Sequence, residues 1–287
     1  MTRILMTGGT GFFGQSMVDY LARRGGEGIA LTRLARRGGE LIGDVRTFDV
    51  GSARFDAIIH AATPARAGIP DAEMRSIILE GTANMLEQAK RCGARRFMMV
   101  SSGGVYGEGW TQPIRETDEP RPVTAYGRAK LEAEAMAAAS GLYVLLPRCF
   151  AFTGRHLPRT EHFAIGNFIS DALAGREIVI RGDGSPLRSY MHADDLCAWL
   201  LTILARGESG RPYNVGSDEA ISIRELANVV RTTLNSRSVI RVLGQSVPGA
   251  ANVYVPDITR ARKELGLQLT YSLSQAIRAS LLEGESA

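Results

Sequence analysis

The first half of the chain alternates short apolar runs with longer amphipathic stretches, and this rhythm constrains the fold more than any other feature. Runs that are apolar on both faces are typical of parallel strands buried between two layers of helices. The strands predicted in this way are residues 3–7, 28–32, 56–61, 96–101 and 142–147. The helices predicted between them are residues 13–24, 71–91 and 124–139. This order of strands and helices predicts an α/β fold with a doubly wound parallel sheet.

The second half of the chain loses this rhythm. Turns rich in glycine and proline separate further helical patterns, at residues 162–174, 193–205, 222–233 and 272–282. We therefore predict a sheet domain over residues 1–150, completed by later segments, and a smaller C-terminal lobe over residues 151–287. No segment has the composition of a long flexible linker, and 287 residues are enough for both parts.

The composition is ordinary for a globular protein, with 45% hydrophobic and 22% charged residues. The formal net charge is +4, and the basic residues are spread along the chain, so no nucleic-acid partner is predicted. No apolar stretch reaches the ~20 residues that a membrane-spanning helix needs, and no membrane association is predicted. The chain opens on a strand rather than a signal segment, and its three cysteines form no CxxC pair. We expect a cytoplasmic protein without a metal site.

A glycine-rich turn joins the first predicted strand to the first predicted helix. Gly9, Gly11 and Gly14 match the spacing GxGxxG, whereas Gly8, Gly11 and Gly14 match GxxGxxG. Such a turn lets a pyrophosphate approach the backbone, where the first amides of the helix favour an anion. The strand before and the helix after supply the context that the motif needs. We therefore predict a dinucleotide site that includes Gly8, Gly11, Phe12, Phe13 and Gly14.

The residues after the second strand bear on which dinucleotide binds. An NAD site usually has an acidic residue there, bonded to the ribose 2′-hydroxyl, but this chain has no acid before Glu40. Arg33 and Arg36 would suit a 2′-phosphate, so NADP(H) is favoured over NAD(H). The alternative is that an arginine-rich composition places them there by chance. Asp44 and Val45, after the presumed third strand, are assigned to the adenine edge.

Tyr126 and Lys130 lie four residues apart on one face of a predicted helix. A nearby ammonium stabilises a phenolate, so we expect Lys130 to lower the pKa of Tyr126 toward neutral pH, and Lys130 to hold the nicotinamide ribose. Ser101 and Ser102 follow the strand at 96–101, at the edge of the sheet where ligands bind. A serine there can bond the substrate oxygen that Tyr126 protonates. The alternatives are a surface Tyr–Lys pair and simple turn chemistry.

The order of these motifs resembles the extended branch of the short-chain dehydrogenase/reductase family, specifically the NAD-dependent epimerase/dehydratase group acting on nucleotide sugars. The resemblance runs nearly end to end and includes Glu116, Pro120 and Pro122 ahead of Tyr126. Its other motifs are residues 7–14, 60–62, 101–107, 188–196, 213–216 and 221–226.

The resemblance implies a Rossmann-type fold, a homodimer and roles for further residues. It selects Ser102 over Ser101, which makes Ser102, Tyr126 and Lys130 the catalytic set. It adds three cofactor residues, His60, Ala61 and Ala62. It also places Arg188 on the substrate diphosphate, and residues 163–168, with Asn167, along a nucleotide sugar.

Dimerisation is expected through the helix of Tyr126, where the small residues Ala125, Ala129 and Ala133 permit close packing. Asp194 and Asp195 are expected to cap the helix that follows them.

Departures from the family pattern narrow the expected reaction. Dehydratases of the group carry Asp-Glu where this chain has Gly103 and Gly104, because elimination needs an additional acid and base. We therefore expect a nucleotide-sugar epimerase or 4-ketoreductase, with hydride transfer at a hexose carbon, C4 in particular. The alternatives are a dehydratase, disfavoured by the two glycines, and a non-catalytic NADP-binding redox sensor.

Overall fold

The computed structural model describes residues 1–24, 26, 28–64, 68–160, 163–245 and 252–281. Its strands are β1 Thr2–Thr7, β2 Ile29–Ala35, β3 Leu41–Ile42, β4 Ala57–His60, β5 Arg96–Met99, β6 Ser101–Ser102, β7 Tyr143–Cys149, β8 Phe152–Thr153, β9 Ile178–Ile180, β10 Leu187–Arg188, β11 Met191–His192, β12 Pro212–Val215, β13 Ile221–Ser222, β14 Ile240–Val242 and β15 Val253–Tyr254. Its α-helices are α1 Phe12–Arg23, α2 Asp71–Cys92, α3 Ala125–Ala138, α4 Ala164–Leu173, α5 Ala193–Arg206, α6 Ile223–Thr233, α7 Thr259–Leu265 and α8 Leu273–Ala279.

The main sheet confirms the predicted Rossmann-type α/β fold. Its strand order is β12-β7-β5-β4-β1-β2-β3, with β6 paired to β7. The ladders that join β3, β2, β1, β4, β5 and β7 are all parallel. The strand order reverses on the two sides of β1, and such a switch point opens a crevice at the carboxyl ends of the strands. The glycine turn directly follows β1 and therefore lies at this crevice.

The predicted strands are shifted by one to three residues at their ends, and two of these differences bear on the site. β2 continues to Ala35 because its parallel register with β1 runs on to the pair Thr7 and Leu34, so Arg33 lies inside the strand. The run at 96–101 is split, since β5 ends at Met99 and the two serines form β6, which pairs with β7.

The chain divides into two compact units. The first contains residues 1–107, 119–149 and 197–214, and the second contains residues 108–118, 150–196 and 215–287. The first unit holds the main sheet, and residues 197–214 contribute most of its edge strand β12. The second unit contains a three-stranded sheet with the order β13-β10-β15 and the small strand pairs β11-β8 and β14-β9. Among the described residues, no helix is long and apolar enough to cross a membrane.

Helix α3 packs against α2 through small side chains. Ala129, Ala133 and Ala137 are fully buried and belong to the same apolar cluster as Ile77 and Met85 of α2. The expectation that Ala129 and Ala133 would serve a dimer contact is therefore wrong, because the chain itself covers both. The homodimer stays a prediction.

The α2–α3 contact predicts that Ala133→Leu destabilises the protein. Extra methylenes in a closely packed interior force neighbours aside, at a cost of about 1–3 kcal/mol in the free energy of unfolding. Ala135→Leu is the matched control, because Ala135 is exposed on the same helix. Urea unfolding should show a lower midpoint for the first variant only. Equal midpoints for the two variants would contradict the assigned buried face.

Candidate active site

The glycine turn after β1 is shaped by close backbone contacts. Gly8 has a φ of +72°, and a Cβ there would lie 2.9 Å from the carbonyl oxygen of Ala61. A Cβ on Gly14 would overlap the carbonyl group of Gly9. A Cβ on Gly11 would meet only the carbonyl oxygen of Gly8, at 3.3 Å. The fold itself therefore requires Gly8 and Gly14, while Gly11 leaves room on the side from which a ligand approaches.

The start of α1 fits a dinucleotide pyrophosphate. Gly11 is the N-cap residue and makes no side-chain cap hydrogen bond, so the first helical amides follow a residue without a side chain. Phe12 and Phe13 are the first two residues of the helix, and their rings pack edge to face with centroids 5.7 Å apart. A helix start of this kind favours anions through its amides and its dipole.

Thr7 connects the end of β1 to the end of β4. Its hydroxyl oxygen accepts hydrogen bonds from the amides of Ala61, at 3.1 Å, and Ala62, at 3.0 Å. Its own proton is therefore available for Nδ1 of His60, 2.9 Å away. Burial, together with the charge of Lys130, lowers the pKa of His60 to about 3, so the imidazole is neutral and accepts this bond. The structure thus brings His60, Ala61 and Ala62 together beside Gly8.

Arg33 and Arg36 lie in the region expected to select the dinucleotide, and both are already in ion pairs. The Arg33 guanidinium binds both carboxylate oxygens of Glu40, with Nη2 2.5 Å from Oε1. Arg36 is 3.2 Å from Asp44, and its side chain is 55% exposed. Asp44 is also held at 2.7 Å by Arg46, whose hydrogen bonds keep the pKa of the Asp44 carboxyl well below its usual range. The more exposed Arg36 is the better placed of the two to accept an added phosphate.

Val45, assigned to the adenine edge, is buried in the apolar core of the first unit. Its side chain packs where a Cβ on Gly81 would lie, and its carbonyl oxygen accepts a hydrogen bond of 2.8 Å from Asn84. Helix α2 therefore fixes the backbone that follows β3.

Ser102, Tyr126 and Lys130 form one cluster, in which Ser102 and Lys130 are buried and Tyr126 is half-buried. Ser102 ends β6, its hydroxyl lowers the pKa of Tyr126, and its oxygen accepts the amide of Gly104 at 3.0 Å. Tyr126 lies in the first turn of α3 and Lys130 one turn later. The Lys130 ammonium is 5.9 Å from the centre of the Tyr126 ring and donates to the carbonyl oxygen of Val100 at 2.9 Å.

The pKa of Tyr126 shifts in the direction opposite to the sequence-based expectation. Burial raises it, and the hydrogen bond with Ser102 offsets only part of the rise. Burial also lowers the pKa of Lys130 to about 8, and the nearby Cys149 and Glu134 offset only part of this fall. Desolvation therefore sets the direction of both shifts, and the phenol keeps its proton at neutral pH.

Gly103 and Gly104 place no carboxylate beside the phenol. A Cβ on Gly104 would lie 3.3 Å from Oγ of Ser102 and 3.6 Å from the Tyr126 ring, so this position directly borders the cluster. Both glycines belong to a short 3₁₀ helix, Gly103–Tyr106, for which Ser102 is the N-cap. A side chain at position 104 would therefore border both the Ser102 hydroxyl and the Tyr126 ring.

The two expected substrate residues lie in the second unit. Arg188, at the end of β10, donates from Nη1 to the carbonyl oxygens of Leu187 and Asn252, and its guanidinium lies 5.6 Å from the ring centre of Tyr254. Within the described residues these hydrogen bonds engage only Nη1 of Arg188. Asn167 is half-buried in the first turn of α4, and its backbone N–H donates to the carbonyl oxygen of Phe163 at 3.1 Å.

Asp194 and Asp195 lie in the first turn of α5 and, in addition, bind a segment far along the chain. Asp195 accepts the backbone amides of Thr270 and Tyr271, at 3.0 and 3.3 Å, and Asp194 accepts the Tyr271 hydroxyl at 3.0 Å. Both carboxylates therefore fasten the segment before α8 to the start of α5. Asp195 and Thr270 are 75 residues apart in the sequence, which explains why local spacing did not indicate this contact.

Sequence reasoning also missed Thr7, Glu134 and Arg148. The signal for Thr7 was a polar residue at the buried end of an apolar strand. Glu134 lies one turn beyond Lys130 on α3, a spacing visible in the sequence, but its partner Arg148 lies on β7, and a pairing between separate elements leaves no local pattern.

The geometry of the glycine turn predicts that Gly11→Ala weakens dinucleotide binding without unfolding the protein. We expect an increase in Kd of about tenfold or more, since the added methyl group enters the pyrophosphate approach. Gly14→Ala should instead lower the melting temperature. Gly182→Ala is the control, because a Cβ there meets nothing within 4 Å. The measurements are fluorescence titration with NADH and NADPH, and thermal unfolding. Gly11→Ala that bound both dinucleotides as tightly as the parent would contradict the assignment.

Comparison with known proteins places this site in a family. The model of the NAD-dependent epimerase/dehydratase family matches residues 4–216. UDP-glucuronic acid decarboxylase 1 of Danio rerio is 30% identical over 305 residues, covering 97% of this chain and 72% of that protein.

Two solved structures share the fold over almost their whole length. RMD from Pseudomonas aeruginosa, complexed with NADPH, is 27% identical with a TM-score of 0.85, and 98% of each chain is covered. MoeE5, in complex with UDP-glucuronic acid and NAD, is 25% identical with a TM-score of 0.83, covering 96% of this chain and 97% of MoeE5. The chain belongs to the NAD-dependent epimerase/dehydratase family of extended short-chain dehydrogenases/reductases.

Proposed function

We propose that this chain is an NAD(P)-dependent enzyme that transfers a hydride at a hexose carbon of a nucleotide-linked sugar, at C4 in particular. The observation that carries the proposal is the cluster of half-buried Tyr126 with buried Ser102 and Lys130, next to positions 103 and 104 that bear no acid. Such a cluster can move one proton on and off an oxygen. It supplies no further acid or base for eliminating water.

The protonation state of the cluster favours the reduction of a ketone. The raised pKa keeps Tyr126 as a neutral phenol, which can donate its proton to a sugar carbonyl oxygen, while Ser102 orients that oxygen. Bound NAD(P)H supplies the hydride to the carbonyl carbon. Lys130 is the nearby cation that stabilises the resulting phenolate and holds the nicotinamide ribose.

Two reactions use this step. In a 4-ketoreductase the keto sugar and reduced cofactor arrive together, and the reaction ends with the alcohol. A 4-epimerase would need Tyr126 to begin as the phenolate, so that it could accept the proton of the sugar hydroxyl while bound NAD(P)⁺ would take the hydride. Proton and hydride would then return to the sugar after it had presented its other face. Cofactor that co-purifies with the protein and is recycled favours the epimerase.

The substrate proposal is supported by the ligands of similar proteins. MoeE5 is solved with UDP-glucuronic acid, and the Danio rerio relative is named as a UDP-glucuronic acid decarboxylase. We assign Arg188 to the substrate diphosphate, because its guanidinium retains donors that can pair with phosphate oxygens. Asn167 is assigned to the nucleotide sugar. The substrate panel must therefore include UDP-hexuronates as well as neutral and 4-keto nucleotide sugars.

Tyr126→Phe tests the catalytic proposal. We expect kcat to fall by about 10²–10⁴-fold with the fold and dinucleotide affinity retained, because only the proton donor is lost. Tyr143→Phe is the matched control, since the Tyr143 hydroxyl donates to the carbonyl oxygen of Gly207 at the other end of β7. Turnover of NAD(P)H with the substrate panel is the measurement. Full turnover by Tyr126→Phe, or none by the parent with any nucleotide sugar, would contradict the proposal, and the second result would favour the redox sensor.

We also propose NADP(H) as the preferred dinucleotide, through Arg36. RMD, which is similar in fold, is solved with NADPH, and Arg36 needs only to exchange a half-exposed ion pair for the 2′-phosphate. Arg36→Ala should raise the Kd for NADPH about tenfold and leave that for NADH unchanged, since only NADPH has the phosphate. Arg37→Ala, at an exposed neighbouring position, is the control. An equal change for both cofactors would contradict this assignment.

A further inference from the structure

A buried ion pair lies directly behind the catalytic cluster. Nε and Nη2 of Arg148 bind both carboxylate oxygens of Glu134, at 3.0 and 2.7 Å, and the two side chains are only 8% and 6% exposed. Ser101 donates a short hydrogen bond to the same carboxylate. The Arg148 guanidinium also lies 4.8 Å from the ring centre of Tyr106. The hydroxyl of that tyrosine in turn donates to Asn214 at 2.9 Å.

Each member of this network is next to a catalytic group. Ser101 precedes Ser102 on β6, and Glu134 follows Lys130 by one turn of α3. Arg148 precedes Cys149, which is the register partner of Ser102 on β7. The carboxylate of Glu134 thus joins the strand of the catalytic serine, the helix of the catalytic lysine and β7, which pairs with β6. It accepts from Ser101 and Arg148 without making a hydrogen bond to any of the three catalytic side chains.

We propose that Glu134 and Arg148 form a positioning pair that holds Ser102 and Lys130 in the arrangement required for proton transfer. This inference rests on the proposed function of the cluster. The pair touches neither substrate nor cofactor and acts through the backbone of β6 and α3. Two charges in an apolar interior lose hydration that their attraction only partly returns, so stability alone is a poor reason for such a pair. The better explanation for the buried pair is that it fixes the positions of Ser102 and Lys130 next to it.

The pair also has an electrostatic effect on Lys130. The charged and titratable groups around this lysine are Tyr126 and Glu134 on α3, His60 on β4 and Cys149 on β7. Burial has left His60 neutral, and burial likewise raises the pKa of the Cys149 thiol, which is therefore protonated. Glu134 is then the negative charge that keeps the Lys130 ammonium protonated. Its removal should lower the pH at which activity is lost.

Glu134→Gln is the direct test. We expect kcat to fall about tenfold with KM changed less than about twofold, and the alkaline limb of the pH–rate profile to shift to lower pH. Glu132→Gln is the matched control on the same helix, because Glu132 forms only an exposed ion pair with Arg75. Unchanged kcat and an unchanged alkaline limb in Glu134→Gln would overturn the proposal.

A double variant separates positioning from stability, because Glu134→Gln alone leaves Arg148 buried without its partner charge. Glu134→Leu combined with Arg148→Met replaces the pair by apolar side chains and should fold with a melting temperature near that of the parent. We expect its kcat to remain low. Recovery of kcat together with stability would overturn the proposal, since the pair would then be only structural.

A spectroscopic measurement keeps this test distinct from that of the proposed function. The ionisation of Lys130 is followed by NMR of protein that carries lysine labelled with carbon-13 at Cε; the chain has three lysines, and the Lys130 signal is the one that is lost in Lys130→Met. Glu134→Gln should lower the pH of this ionisation, because the Glu134 carboxylate is a negative charge beside a buried ammonium. An unchanged Lys130 titration would refute the inference even if no substrate were turned over. Failure of the proposed function alone would leave the predicted shift in place.

Discussion

The Thr7 hydroxyl connects the dinucleotide turn to the catalytic helix. It accepts two amides from the end of β4 and faces the neutral imidazole of His60. The carbonyl oxygen of His60 accepts the amide of Val100, and the carbonyl oxygen of Val100 accepts the ammonium of Lys130. One continuous series of hydrogen bonds thus runs from the strand before the glycine turn to the catalytic lysine. Parallel strands make this possible, because their carboxyl ends reach the same edge of the sheet.

Burial determines the chemistry of the groups at this edge. The same removal of water that makes the imidazole of His60 neutral also keeps Tyr126 as a phenol and brings the pKa of Lys130 to about 8. A side chain that gives up a proton and then regains it needs a well-defined pKa. In a buried site a few fixed neighbours determine that pKa, whereas bulk solvent has little influence on it. Glu134 is such a neighbour, and its own charge is balanced by Arg148 within hydrogen-bond distance. The network therefore brings a charge close to Lys130 without leaving that charge unpaired.

Local spacing in the sequence predicted much of the fold and singled out Tyr126 and Lys130, whereas the family resemblance was needed to choose Ser102 over Ser101. The glycine turn and the four-residue interval from Tyr126 to Lys130 are short-range patterns, whose meaning needs only a strand before or a helix around them. Long-range partners could not be predicted in this way. The pairing of Asp195 with Thr270 depends on where the segment before α8 packs against α5. Arg33 was assigned to a ligand because its partner Glu40 lies outside β2, directly before β3, and only the pairing of these two strands brings the side chains together. The direction of the Tyr126 pKa shift depends on the depth of burial, which spacing does not give.

The return of residues 197–214 to the first unit has a consequence for how this chain acquires its structure. Strand β12 lies at one end of the main sheet beside β7, and Arg96 on β5 donates to the carbonyl oxygen of Leu204. A ribosome that has released only residues 1–150 has therefore delivered a sheet with β7 as an open edge, without the helix residues Trp199 and Leu200 that are buried in the finished protein. Open edges and uncovered apolar surface attract other chains. Until residues 197–214 have been synthesised, this edge and this apolar surface stay uncovered, and no single cut can divide the chain into two complete units.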